Sequence, residues 1–192
     1  MDISTLQAQQ TLLVRQKFTM MINRYEVRLT DASGHAGPLV GFAEQKRMTL
    51  KEQVTLFTDD SKRDVLARFK ARSVMDLRAT YDVTDGHGAP IGLFRKAFAA
   101  SLLRSTWHVE QPNWGTATGQ ERSLLIALMR RFGDLTFWPY HFDFASADGR
   151  QAFSVQKRWG IRDTYVVTIH DPRLDRRLVI AMAVALDALQ SR

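Results

Sequence analysis

The chain has 192 residues, of which 45% are hydrophobic and 24% are charged, and its formal net charge is +7. This composition is that of an ordinary globular protein, and the absence of cysteine excludes disulfides, thiolate catalysis, cysteine-ligated zinc and S-palmitoylation. The positive charge favours an anionic partner such as phospholipid head groups, nucleic acid or an acidic protein.

The N-terminal stretch MDISTLQAQQTLLVRQK lacks the basic start and apolar run of a secretory signal. Because cysteine is also absent, we expect a cytoplasmic location. No Pro/Ser-rich linker or low-complexity run divides the sequence, so we expect a single domain over residues 1–192.

Most of the chain is predicted to form short strands. In DVLARFKARS, the apolar Val65, Ala67 and Phe69 recur at every second position, which is the period of a β-strand. The segments LRSTWHVE (103–110) and YHFDF (140–144) also alternate, and TYVVTI (164–169) is β-branched and aromatic. Further candidate strands are 11–16, 24–30, 39–46, 53–58, 78–84, 90–97, 114–118 and 150–158. These segments predict about twelve strands.

One short internal helix is predicted after residue 118. Thr118 and Glu121 in TGQE have the spacing of a capping box. The apolar run 124–129 follows, then two arginines, and Gly133 is a suitable stop.

Three segments share one plan and indicate an internal repeat. Each begins with Tyr, enters a strand, turns at an Asp and a Gly, and ends near basic residues. They are YEVRLTDASGHAGPLVGFAEQKR (25–47), YDVTDGHGAPIGLFRKA (81–97) and YHFDFASADGRQAFSVQKR (140–158). We therefore expect three related hairpins in one sheet.

The C-terminal stretch RRLVIAMAVALDAL (176–189) is apolar without interruption from Leu178 to Leu186. A membrane-spanning helix needs about 20 apolar residues, so this run is too short to cross a bilayer. A helix with no polar face must be buried on all sides. We predict a central helix over about 172–189, with Asp171 as its N-cap and Pro172 at its first position.

Strands and helix together predict one architecture. A sheet closed into a barrel has no exposed edges, and a barrel of about twelve strands is too wide for its own side chains to fill. The expected fold is mainly β (α+β): an antiparallel β-barrel of about twelve strands that encloses the hydrophobic C-terminal α-helix, with one extra short helix.

The QKR hairpins, the twelve strands and the final DPRLDRRLVIAMAVALDAL resemble the LURP-one-related family, which is grouped with tubby C-terminal domains and phospholipid scramblases. The resemblance implies a twelve-stranded barrel around a hydrophobic C-terminal helix. It also implies phosphoinositide binding through surface Lys and Arg, as in tubby domains. Scramblases are palmitoylated on cysteine and bind calcium before the final helix. This chain has no cysteine, and IHDPRLDRR carries only Asp171 and Asp175 among three arginines, so neither property is carried over.

No pattern predicts an enzyme, a metal site or a cofactor. The five histidines lack metal-ligand spacing, and DGHGAPIG joins two strands, so it is a hairpin turn and not a phosphate loop. His141 and Asp143 share a strand face and are expected to form at most a surface pair.

Basic residues are the best functional lead. One group projects from a single strand face, and the other ends two of the similar hairpins, where the cations would cluster if those hairpins were neighbours. The candidates for lipid or anion binding are Lys46, Arg47, Arg68, Lys70, Arg72, Lys157 and Arg158. The same residues could instead be solvated cations that block aggregation, or could pair with Asp and Glu.

These observations leave three functional hypotheses. The first is a non-enzymatic binding module that meets an anionic membrane surface peripherally, or an acidic protein, through its basic residues. The second is nucleic-acid binding. It is disfavoured because the aromatic residues do not interleave with the cations at a regular spacing, as stacking on bases would require. The third is a structural or interaction domain whose charge is incidental. The oligomeric state is not predicted.

Overall fold

In a computed structural model of the chain, twelve antiparallel strands close into one barrel around the C-terminal helix. The structure describes residues 3–17, 22–31, 34–46, 53–72, 80–97, 105–122, 141–158 and 163–190. The strands are β1 (Thr11–Lys17), β2 (Ile22–Thr30), β3 (Ala36–Lys46), β4 (Gln53–Phe57), β5 (Val65–Ala71), β6 (Thr80–Asp85), β7 (Pro90–Lys96), β8 (Thr106–Gln111), β9 (Gly115–Glu121), β10 (His141–Ser146), β11 (Gln151–Arg158) and β12 (Thr164–Ile169). The helices are α1 (Ile3–Gln7) and α2 (Arg176–Gln190).

Each strand pairs with its neighbours in the sequence, and β1 pairs with β12 to close the sheet. The predicted fold class is therefore confirmed. Because the described strands form a complete ring, none of them presents an unpaired edge. We call the end of the barrel at which α2 begins the base, and the end at which α2 finishes the rim; odd-numbered strands run from base to rim.

The helix α2 fills the barrel. Every residue from Leu178 to Leu186 is at most 4% exposed. Inward side chains of the strands, including Val14, Phe69 and Phe94, surround it. Burial of these apolar surfaces on all sides provides the main driving force for the fold, as the absence of a polar face on the helix predicts.

The helix begins at Arg176, so the predicted start at Pro172 is wrong. Asp175 is the N-cap, since its Oδ1 accepts a hydrogen bond from the Arg177 amide at 2.9 Å. Asp171 has a different role, because it closes a preceding turn and accepts a hydrogen bond from Trp114 Nε1 at 2.9 Å. Both aspartates suit a cap, since each accepts a hydrogen bond from the amide two residues ahead, and they differ in their other contacts: Asp171 bonds to Trp114 and Asp175 to Gln7.

The expected internal helix does not begin at Thr118. Thr118 and Glu121 belong to strand β9, which pairs with both β8 and β10, so the capping-box interpretation is wrong. The remainder of that prediction falls in 123–140, outside the described residues. Among the described residues, the helix other than α2 is α1, whose Leu6 is fully buried.

The predicted repeat is seen as three hairpins, β2–β3, β6–β7 and β10–β11, spaced four strands apart around the ring. Their turns share one hydrogen-bond pattern. The amide of the first turn residue donates to the carbonyl of the last, and a glycine amide donates to the carbonyl of the first. The glycines Gly34, Gly88 and Gly149 have φ angles of 76°, 91° and 82°. Because L side chains rarely adopt such angles, glycine is required there. The barrel thus has an approximate threefold repeat.

A small apolar void lies between α2 and strands β3 to β5. Its volume is about 10 Å³, and Ile180, Ala181 and Val184 line it from the helix. A leucine adds far more volume than this void contains. Ala185 is fully buried and does not line the void.

We expect Ala185→Leu to lower the free energy of unfolding by about 1–3 kcal/mol, because the added atoms force neighbouring side chains and backbone to shift. Ala181→Leu should cost less, since part of its added volume enters the void. Urea denaturation measures both. If the two variants unfold at the same urea concentration as the parent protein, α2 is not enclosed as described.

Candidate functional site

The outer face of β5 carries the three cations that the strand pattern predicts. Phe69 is buried, whereas Lys70 and Arg72 are exposed and Arg68 is half-buried. Arg68 Nη1 donates to the Gly86 carbonyl at 3.2 Å in the β6–β7 turn. Arg68 is therefore engaged in holding that turn, and the accessible charge lies nearer the rim.

Neighbouring strands add one cation and one carboxylate to this face. Asp82 on β6 pairs in register with Lys70 and accepts two hydrogen bonds from Arg72, with distances of 3.0 Å from Nε and 2.5 Å from Nη2. Arg95 on β7 is exposed and lies opposite Thr80, two residues from Asp82 on β6. We call Lys70, Arg72, Asp82 and Arg95 the β5–β7 patch. It contains three cations and one carboxylate.

The positive charge of Arg95 affects the pKa of a neighbouring histidine. His108 lies opposite Arg95 on β8, and its Nδ1 is 3.0 Å from Thr118 Oγ1. Burial and the positive charge of Arg95 lower the pKa of His108, so the neutral imidazole is favoured. An anion bound beside Arg95 would oppose this effect.

The predicted cations Lys157 and Arg158 do not join the β5–β7 patch. The strands β5 and β11 lie six strands apart in either direction around the barrel. Lys157 is largely buried, forms an ion pair with Asp163 at 2.9 Å and lies over the ring of Tyr165. Arg158 is exposed and donates to the Gly34 carbonyl at 3.2 Å. Strand β3 ends at Lys46, whose side chain, like the whole of Arg47, lies outside the described residues.

The repeat supplies a neutral counterpart of the patch on β9 and β10. Arg122 makes two hydrogen bonds of 2.7 Å to Asp143, as Arg72 does to Asp82. The Arg122 amide donates to His141 O at 2.8 Å, and the Arg72 amide donates to Thr80 O at the same distance.

The flanking residues of the two pairs differ in charge. Gln120 pairs in register with Asp143, where the patch has Lys70 opposite Asp82. Gln156 pairs with His141, where the patch has Arg95 opposite Thr80. Of these two repeats, only β5–β7 carries cations beside its Arg–Asp pair. The expected His141–Asp143 pair is wrong, because Asp143 bonds to Arg122, and His141 Nδ1 has no hydrogen-bond partner within the described part of the chain.

A family model described as LURP-one-related matches residues 39–187, from β3 to the last turn of α2. The chain belongs to the LURP-one-related family. No curated protein matches it significantly. The predicted family is thus confirmed, and the barrel is the one expected for the tubby-like and scramblase-like group. Among the described residues of this LURP-one-related chain, no helix is long and apolar enough to cross a membrane.

A polar cleft of about 260 Å³ lies at the base of the LURP-one-related barrel. Arg177 and Asp175 line it and form an ion pair at 2.6 Å. Gln111 accepts from the Asp175 amide at 2.7 Å and donates to the Arg173 carbonyl at 3.0 Å. These contacts fix the start of α2 against the end of β8.

A carboxyl group near the rim was missed by sequence reasoning. Asp187, in the last turn of α2, accepts hydrogen bonds from Tyr25 on β2, at 2.8 Å, and from Tyr165 on β12. Burial raises the pKa of Asp187, as does the nearby Asp163, while the two tyrosines and Lys157 oppose the rise. The negative end of the helix dipole also disfavours ionisation there. The sequence shows Asp187 only as the residue that ends the apolar run.

The raised pKa of Asp187 makes stability depend on pH. Above the ordinary aspartate pKa, about 3.9, the unfolded chain loses this proton while the folded chain keeps it. The free energy of unfolding therefore falls as pH rises from there through the folded pKa. Asp187→Asn can still accept from one tyrosine and donate to the other. We expect it to melt at a higher temperature than the parent protein at neutral pH and to lose this part of the pH dependence. Equal pH profiles of melting temperature would show that Asp187 ionises normally.

Proposed function

We propose that this LURP-one-related chain is a non-enzymatic module that binds anionic lipid surfaces peripherally through the β5–β7 patch. The observation that carries the proposal is the concentration of Lys70, Arg72 and Arg95 on and beside β5 and β7, with the single carboxylate of Asp82 on β6 between them. A cytoplasmic location would suit this function, because the cytoplasmic leaflet carries the anionic lipids.

The shape and charge of the patch support a surface ligand. The side chains stand on the wall of a closed sheet, which holds their spacing fixed. Each Lys or Arg near an anionic membrane contributes about 1 kcal/mol of binding free energy. Tubby domains, which the chain resembles, use cations on the barrel surface for the same class of ligand. An extended membrane can meet all three cations at once.

Replacing Lys70 and Arg95 together by glutamine would convert the patch into its neutral counterpart on β9–β11. We expect the double variant Lys70→Gln/Arg95→Gln to bind phosphatidylcholine vesicles containing phosphatidic acid roughly thirtyfold more weakly than the parent protein, since about 1 kcal/mol is lost per cation. Vesicle cosedimentation at low ionic strength measures this loss. Added salt should weaken binding of the parent protein steeply, because the charges are exposed.

The matched control is Arg63→Gln/Arg150→Gln, which removes the same charge from exposed residues at the base. We expect this variant to keep most of the vesicle binding. Equal losses in the two double variants would show that net charge alone is responsible and would contradict the proposed patch. Stronger binding of the parent protein to duplex DNA than to the vesicles would favour nucleic acid over lipid.

A further inference from the structure

We infer that Asp82 is an internal competitor for the lipid phosphate at the β5–β7 patch, so that its carboxylate limits the affinity of the site. This inference rests on the proposed function. It adds a residue of opposite charge whose removal should strengthen binding.

Asp82 contacts the guanidinium of Arg72 with the geometry that a bound phosphate would have. Nε and Nη2 of Arg72 donate to the two different carboxylate oxygens of Asp82. Two oxygens of a phosphate accept from a guanidinium in the same parallel arrangement. Asp82 therefore occupies the donors of Arg72 that a phosphate would use.

Displacing the Asp82 carboxylate from Arg72 costs little free energy. The Arg72 and Asp82 side chains are 56% and 44% exposed, so water screens their attraction. Ion pairs of this kind contribute little to stability, and water can solvate the released carboxylate. A phosphate that takes its place also lies beside Lys70, which faces Asp82 across the strand pair, and near Arg95.

The Arg122–Asp143 pair provides the comparison: an Arg–Asp pair of the same geometry without neighbouring cations. It has the same bidentate contact, and its side chains are similarly exposed, at 51% and 34%. Gln120 and Gln156 stand there in place of Lys70 and Arg95. A phosphate that displaced Asp143 would therefore meet a single guanidinium. Release of Arg122 should give little binding.

The test compares Asp82→Asn with Asp143→Asn, two isosteric changes that raise the net charge equally. The probe is phosphatidylcholine vesicles containing phosphatidic acid, with pure phosphatidylcholine vesicles as the blank. We expect Asp82→Asn to bind about fivefold more tightly than the parent protein, the effect of about one additional cation at the membrane surface. We expect Asp143→Asn to change binding by less than about twofold, and the thermal melts of both variants to confirm folding.

The outcomes separate this inference from the proposed function. Equal tightening in both variants overturns the inference, because net charge would explain it. Vesicle binding by the parent protein without tightening in Asp82→Asn overturns the inference and leaves the proposed function standing. Failure of the parent protein and of both variants to bind the vesicles overturns both.

Discussion

The apolar surface of α2 is the constraint on which the rest of the structure depends. Leu178 to Leu186 offer no polar face, so they require apolar cover in every direction. A closed sheet supplies that cover and leaves no described strand edge unpaired. The polar groups of the helix lie at its two ends. At the base, the buried Arg176 donates to the carbonyls of Gln9, Pro172 and Leu174, and at the rim Asp187 meets Tyr25 and Tyr165.

Most of the fold could be predicted from the sequence, because the period of two in the strands, the glycine turns and the apolar helix all indicate one architecture. The errors arose where a local signal competed with tertiary pairing. The capping-box spacing of TGQE was overridden by pairing of β9 with both neighbours, where a Cβ on Gly119 would lie 2.2 Å from the ring of Phe144. The start of α2 was misplaced because Asp171 and Asp175 both suit a cap.

The candidate site was only partly predictable, since residues on one strand identify a face but not its neighbours. The alternation in β5 placed Lys70 and Arg72 outward, as found. The roles of Asp82 and Arg95 depend on strand register, which a single-strand pattern does not specify. Lys157 lies two residues from the inward Val155, so it shares the inward face of β11 and lies near Tyr165. The repeat explains why one Arg–Asp pair is surrounded by cations and its counterpart by amides.

Native-state hydrogen exchange tests the central claim, that α2 is the enclosed core of the barrel, most directly. If the barrel must open before α2 meets water, amides from Leu178 to Leu186 will exchange only through global unfolding, as slowly as the most protected strand amides. Exchange of these helix amides at the rate of the exposed turns, while the strands stay protected, would show that α2 leaves the barrel on its own and would contradict the account.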